Sequence, residues 1–149
     1  MKKILILVII LTIAIICITY VWYGNLKKNK QEVEKINNEF LVYKDRQIQI
    51  NTLNTLMNKA IQYNIDNKVQ QDEKNAFIEN DTNSIKIYID LSIEQITVPM
   101  ERLLLNQSSS NRAEKVEFAF NDSLFILTNI EYHEKTGLIK SLTFKEILN

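Results

Sequence analysis

The side chains that could bind a metal ion or transfer a proton are few and scattered in this chain. His133 is the only histidine, and Glu131 and Glu134 lie within two residues of it. Glu131 and His133 share a face if this stretch is a strand, so a three-ligand metal site is conceivable. A single histidine beside a turn is more often solvated, and transition-metal sites rarely use one histidine without cysteine. We therefore predict a solvated histidine, no metal and no cofactor.

A second group of carboxylates precedes the first long predicted strand: Asp72, Glu73, Glu79 and Asp81. Carboxylate oxygens suit Ca²⁺, but the stretch 81–83 lacks the remaining positions of an EF-hand loop. Solvation of a loop is the simpler interpretation. The chain also has no Gly-rich phosphate loop, no Gly-x-Ser-x-Gly elbow and no Ser-His-Asp order. The sequence predicts that the protein is not an enzyme and has no catalytic residues.

Charge and cysteine content exclude further classes. The chain has 18 basic and 18 acidic side chains, and no Lys/Arg cluster occurs apart from the lysines that flank the apolar run, so nucleic-acid binding is not expected. The single cysteine, Cys17, follows two isoleucines, whereas a lipoprotein cysteine follows a small residue. We expect an inert thiol within an apolar segment. Abundant Ile, Lys and Asn with two Gly and one Pro are typical of an AT-rich bacterial genome.

An uncharged run rich in Ile, Leu and Val covers residues 4–23, directly after the basic tail 1–3. Twenty residues at 1.5 Å per residue give about 30 Å, the thickness of a bilayer core. Tyr20, Trp22 and Tyr23 lie at the far end of the run, where aromatic rings prefer the headgroup region. No A-x-A-like cleavage site follows the run. Residues 4–23 are therefore predicted to be a single-pass transmembrane helix, an uncleaved signal anchor, with the three aromatics as its membrane-interface anchor.

The orientation follows from the basic head. Lys2 and Lys3 face three lysines on the other side of the run, so the lysine balance alone does not favour a cytoplasmic N-terminus. A short basic head leading directly into an apolar run is how export signals begin. We therefore expect a protein of the cell membrane whose C-terminal domain lies outside the cytoplasm.

Residues 24–47 are polar but carry an apolar seam at heptad a and d spacing: Leu26, Val33, Ile36, Phe40 and Tyr43. Asn29 interrupts the seam, and fewer than four heptads are present. The membrane helix is predicted to continue into an amphipathic stalk that packs on its own domain. The alternative is a zipper that forms a homo-oligomer through this interaction seam.

The remaining residues, 48–149, are expected to form one small domain. A short strand at Ile48 and Ile50 precedes a helix capped by Asn51 or Thr52. The apolar stripe of this helix is Leu53, Leu56, Met57, Ala60 and Ile61. Residues 85–91 and 96–100 alternate as strands. Pro99 cannot donate to a ladder, so the second of these strands lies at an edge of the sheet or ends there.

In the last third of the chain, the sequence predicts a loop at 106–111, followed by a short helix carrying Val116, Ala119 and Phe120. Residues 124–133 and 138–147 follow as a hairpin, with Gly137 suited to positive φ. The fold class is therefore α+β. It comprises an N-terminal transmembrane helix continuing into an amphipathic stalk, then a small antiparallel sheet of about four strands packed with one or two helices.

This layout resembles that of pilin-like and pseudopilin-like proteins, in which a membrane helix extends into an amphipathic half that packs on an antiparallel sheet. The chain lacks the prepilin processing motif, since no Gly or Glu occurs between Met1 and Tyr23. Residues 43–61 and 130–144 are also similar to small bacterial membrane-anchored proteins. The resemblance implies a structural or assembly component of the cell envelope, in contact with the lipid bilayer and with a protein partner in the membrane or envelope. The alternative is a membrane-tethered sensory or ligand-binding module that acts through a partner membrane protein.

Overall fold

A computed structural model describes residues 2–92, 95–105 and 123–147. The chain divides into two compact units, Met1–Ile36 and Asn37–Asn149. The predicted loop at 106–111 and the helix carrying Val116, Ala119 and Phe120 lie outside the described residues.

The first element is one long helix, α1 (Lys2–Leu41). The sequence has no proline in this stretch, so no backbone donor is lost and the helix continues past residue 23 as predicted. It ends before the predicted stalk boundary at residue 47. The backbone N–H of Lys44 bonds to the carbonyl of Leu41 at 2.9 Å, and Asp45 follows with φ of 65°. Among the described residues, no helix combines the length and the apolar character needed to cross a membrane.

A short strand, β1 (Gln47–Gln49), leads directly into α2 (Ile50–Asp66). The predicted caps Asn51 and Thr52 are wrong, because the helix begins earlier and its N-cap is Gln49, which makes no side-chain capping bond. Four of the five predicted apolar positions are buried, and the stripe extends at both ends to Ile50 and Asn64. Ile61 is only half-buried, since it lies at the margin of the stripe.

Four further strands and a short helix complete the described part of the second unit: β2 (Lys86–Leu91), β3 (Ile96–Pro99), α3 (Met100–Leu105), β4 (Leu124–Tyr132) and β5 (Ile139–Ile147). They form a five-stranded sheet in the order β1-β4-β5-β2-β3. Pro99 lies on an edge strand, as predicted. Met100 belongs to α3 and not to the strand, and this short helix was not predicted from the sequence.

The sheet is mixed, so the prediction of an antiparallel sheet of about four strands is wrong in two respects. β2 and β5 pair in parallel, with Ile87 opposite Leu142 and Ile89 opposite Phe144, while the other pairs are antiparallel. Alternation along a strand reports which face is buried, and it carries no information on the direction of the neighbouring strand. The fifth strand, β1, is the short strand predicted at Ile48, and it pairs with β4 at an edge of the sheet. Ile50 belongs to α2 and not to this strand.

The β4–β5 hairpin forms as predicted. Gly137 has φ of 70°, and its N–H bonds to the carbonyl of His133 at 2.8 Å. Positive φ is accessible to glycine without a Cβ clash. The turn therefore lies where the sequence places it.

The hydrophobic core lies between α2 and one face of the sheet. Its fully buried side chains include Leu53 and Met57 from α2, Ile87 and Ile89 from β2, and Phe144 from β5. Phe40, in the last turn of α1, is also buried in this unit. On the opposite face of the sheet, the central strands β2 and β5 carry polar residues.

Candidate functional site

Polar side chains gather on the sheet face opposite α2. In the β2–β5 register, Lys86 lies opposite Ser141 and Tyr88 opposite Thr143, while Glu131 of β4 lies opposite Ser141 from the other side. Paired residues of neighbouring strands project to the same face. We call this surface the polar face.

A buried ion pair lies at this face. The Lys86 ammonium donates to Glu101 Oε1 at 2.8 Å, and the two residues are 6% and 4% exposed. The backbone N–H of Phe77 donates to the same oxygen at 3.2 Å. Glu101 Oε2 is buried without a hydrogen-bond partner in the part of the chain that the structure describes. The pair therefore ties α3 to β2.

Tyr88 and Glu79 form a second polar contact. The Tyr88 hydroxyl donates to Glu79 Oε1 at 2.8 Å, and Lys140 Nζ lies 3.3 Å from Glu79 Oε2. Burial and the adjacent Glu79 carboxylate raise the pKa of Tyr88 well above its usual value. Partial burial alone would raise the pKa of Glu79, but hydrogen bonds from Tyr88 and Lys140 outweigh it and the pKa is lowered. Glu79 is therefore held as a carboxylate and Tyr88 as a phenol.

His133 is buried, so the prediction of a solvated histidine is wrong. It is 2% exposed, and its Nε2 donates to the Ser84 carbonyl at 2.8 Å. A carbonyl can only accept, so the hydrogen bond places a proton on Nε2. Asn80 stabilises the loop before β2, since its Oδ1 accepts from the N–H groups of Asn83 and Ser84. His133 thus joins the hairpin to the loop before β2.

Asp72 and Asp81, two carboxylates of the loop before β2, have partners within the fold. Asp72 Oδ1 accepts from the backbone N–H groups of Ala76 and Lys74 at 2.9 and 2.8 Å, and these bonds lower its pKa. Asp81 lies 3.6 Å from Lys135 in an exposed pair. Within the described ranges, no group of three or more His, Cys, Asp or Glu side chains could hold a metal ion. Asp81 is exposed, as expected for a solvated charged loop. Asp72 instead holds a turn in place through its bonds to two backbone N–H groups.

An open cleft of about 590 Å³ lies beside the hairpin. It is lined by Asn80, Asp81, Glu131, Tyr132, His133, Glu134, Lys135 and Lys140. Its charges are of both signs, and Glu131 Oε2 accepts from the Ser141 hydroxyl at 3.1 Å. Such a lining suits a small polar ligand carrying both charges, because it offers donors and acceptors close together. The sequence brought His133 and Glu131 together as conceivable metal ligands or solvated side chains, and it did not predict this cleft.

The predicted interface anchors and seam residues differ in exposure. Tyr20, Trp22 and Tyr23 are exposed in the first unit, at 81%, 65% and 68%. In the seam, Leu26 is exposed, Val33 and Ile36 are half-buried, Phe40 is buried and Tyr43 is half-buried. The last two of these seam residues belong to the second unit. Phe40 is thus a core residue of the α+β unit.

The fold and the site together define a small α+β unit with a mixed sheet, preceded by a long helix. The chain matches no protein-family model, no curated protein and no solved structure.

Proposed function

We propose that this protein is a non-enzymatic, single-pass membrane-anchored protein that presents a small α+β domain outside the cytoplasm as a structural or assembly component of the cell envelope. The observation that carries the proposal is the composition of α1. The helix includes the apolar run at its start and contributes the buried Phe40 to the α+β unit at its end.

The apolar side chains of α1 support a membrane anchor. From residue 11 to residue 26 the large apolar residues are exposed: Leu11, Ile13, Ile15, Ile16, Ile18, Tyr20, Val21, Trp22, Tyr23 and Leu26. A soluble protein rarely leaves so many contiguous apolar side chains in water. Lipid would cover them, and helical backbone bonds satisfy the polar groups of the chain there.

The polar face supports a structural role over catalysis. Glu79, Glu101 and Glu131 each accept hydrogen bonds from neighbouring side chains of the same unit. A general acid or base must reach a substrate proton, whereas these carboxylates already have partners that hold the fold together. The protein therefore acts by presenting its α+β domain to a protein partner in the membrane or envelope.

The test combines fractionation, protease accessibility and crosslinking in intact cells. We expect the full chain to remain with membranes after carbonate extraction, while a variant with Ile13→Lys and Ile16→Lys is released. Ile13→Leu with Ile16→Leu is the matched control and should remain bound. Added protease should digest the α+β domain in intact cells, and crosslinking should give a discrete partner band. Release of the native chain contradicts the anchor, protection until lysis contradicts the location, and absence of any crosslinked species contradicts an assembly role.

The cleft beside the hairpin favours a second candidate, a membrane-tethered sensory or ligand-binding module. Lys140 and Glu131 line it from neighbouring strands and offer opposite charges. A small zwitterionic ligand should raise the Tm of the native protein and not that of Lys140→Ala. If no ligand of this class shifts the Tm of the native protein, the second candidate fails.

A further inference from the structure

The segment of α1 after the apolar run carries aromatic and basic side chains on one side. Tyr20, Tyr23, Lys27 and Lys30 are spaced at i, i+3, i+7 and i+10, which places them along one side of a helix. All four are exposed. We call this surface the Tyr-Lys stripe.

The lysines of this segment are available to an external anion. In the described part of the chain, none of the ion pairs involves Lys27, Lys28 or Lys30. Two acidic residues, Glu32 and Glu34, come later in the helix. At 1.5 Å per residue, Lys27 and Lys30 lie about 8 and 12 Å along the axis from Trp22, whereas Glu32 and Glu34 lie about 15 and 18 Å from it. The positive charges are thus nearer to the aromatic end of the apolar run.

We infer that the Tyr-Lys stripe, together with Lys28, binds the headgroups of anionic phospholipids at the bilayer surface. The inference rests on the proposed membrane anchor and adds its lipid class. Tyrosine and tryptophan rings settle at the depth of the headgroups. Lys27 and Lys28 lie within a Debye length of about 10 Å of Trp22, and Lys30 lies just beyond it. Their long side chains can extend back toward the phosphates, where an anionic surface attracts them. Charge complementarity therefore selects an anionic lipid.

Trp22 provides a local probe because it is the only tryptophan of the chain. The full chain is reconstituted in vesicles of equal parts phosphatidylcholine and phosphatidylglycerol, with bromine on the acyl chains of one lipid only. Bromine quenches tryptophan on contact, so the two preparations report which lipid surrounds Trp22. We expect quenching at least about twofold stronger with brominated phosphatidylglycerol, and loss of this preference at high salt.

Matched variants assign the preference to the stripe. In the variant K27Q/K28Q/K30Q, the fluorescence of Trp22 should be quenched equally by either brominated lipid. K35Q/K44Q/K145Q removes three exposed lysines elsewhere and should keep the native preference. Equal quenching of the native protein, or a preference that survives in K27Q/K28Q/K30Q, overturns the lipid inference and leaves the anchor standing. Absence of quenching by either lipid overturns the anchor and the inference together.

Discussion

At the scale of single residues, Lys86 is the clearest departure from a local pattern. It occupies a position that alternates with buried isoleucines, where an exposed side chain is expected. The structure buries it against Glu101 from α3. A charge inside the protein is tolerated when an opposite charge and hydrogen bonds accompany it.

Removing one partner of this pair should be costly. Lys86→Met leaves the Glu101 carboxylate buried and unpaired, so we expect the free energy of unfolding to fall by about 3–5 kcal/mol. Adding Glu101→Gln removes the lone charge and keeps an acceptor for Phe77, so the double variant should recover most of the loss. Urea unfolding of the full chain in detergent, followed by near-UV circular dichroism, measures the free energy of unfolding of the single and the double variant.

The exposed pair of Lys135 and Asp81 is the control for this prediction, since Lys135→Met should change stability by less than about 1 kcal/mol. A double variant no more stable than Lys86→Met would show that the loss does not come from the unpaired charge.

The lowered pKa of Glu79 makes the stability of the fold depend on pH, and the direction of that dependence follows from it. Its pKa in the folded state lies below the ordinary value of 4.5. Its carboxylate therefore stabilises the fold above pH 4.5, and this contribution is lost as the pH falls through the lower folded-state pKa. Glu79→Gln should flatten the fall in unfolding free energy below pH 4.5, measured by urea unfolding at a series of pH values. Asp81→Asn, at an exposed carboxylate, should keep the native slope; equal slopes in all three proteins would contradict the prediction.

At the scale of elements, the hairpin turn depends on the backbone of Gly137. An added Cβ would meet no atom within 4 Å, so the constraint is the positive φ of 70° alone. Gly137→Ala should cost about 1–2 kcal/mol, because an L side chain is strained there. Gly137→Asn should cost less, since asparagine tolerates this region. Chemical unfolding of the three proteins gives the order, and an alanine variant as stable as the native chain would rule out the backbone explanation.

At the scale of the whole molecule, α1 serves both compact units of the chain. The boundary between the units falls after Ile36, inside the helix, so Phe40 belongs to the core of the α+β unit. Phe40→Ala should lower the unfolding free energy of that unit by about 3–5 kcal/mol through lost burial and a cavity. Leu26→Ala, at a position 47% exposed, should change it by less than about 0.5 kcal/mol. Equal effects of the two substitutions on amide hydrogen exchange of β2 and β5 would contradict this assignment.

The sequence by itself determined the elements whose signal is local. The stripe of α2, the alternation of Ile85, Ile87, Ile89 and Leu91, and the turn at Gly137 are each contained in a short stretch, and each is present in the structure. These patterns follow from the 3.6-residue and two-residue periods of helix and strand and from the freedom of glycine.

Only the tertiary structure decided the features that join distant residues. The parallel pairing of β2 with β5, the burial of Lys86 against Glu101, and the bond from His133 to Ser84 depend on segments separated by 15 to more than 50 positions along the chain. No periodicity within one segment records which other segment will cover it. A lysine on an alternating strand and a histidine beside a turn therefore look solvated until the elements pack, and packing assigns them the partners that make their burial stable.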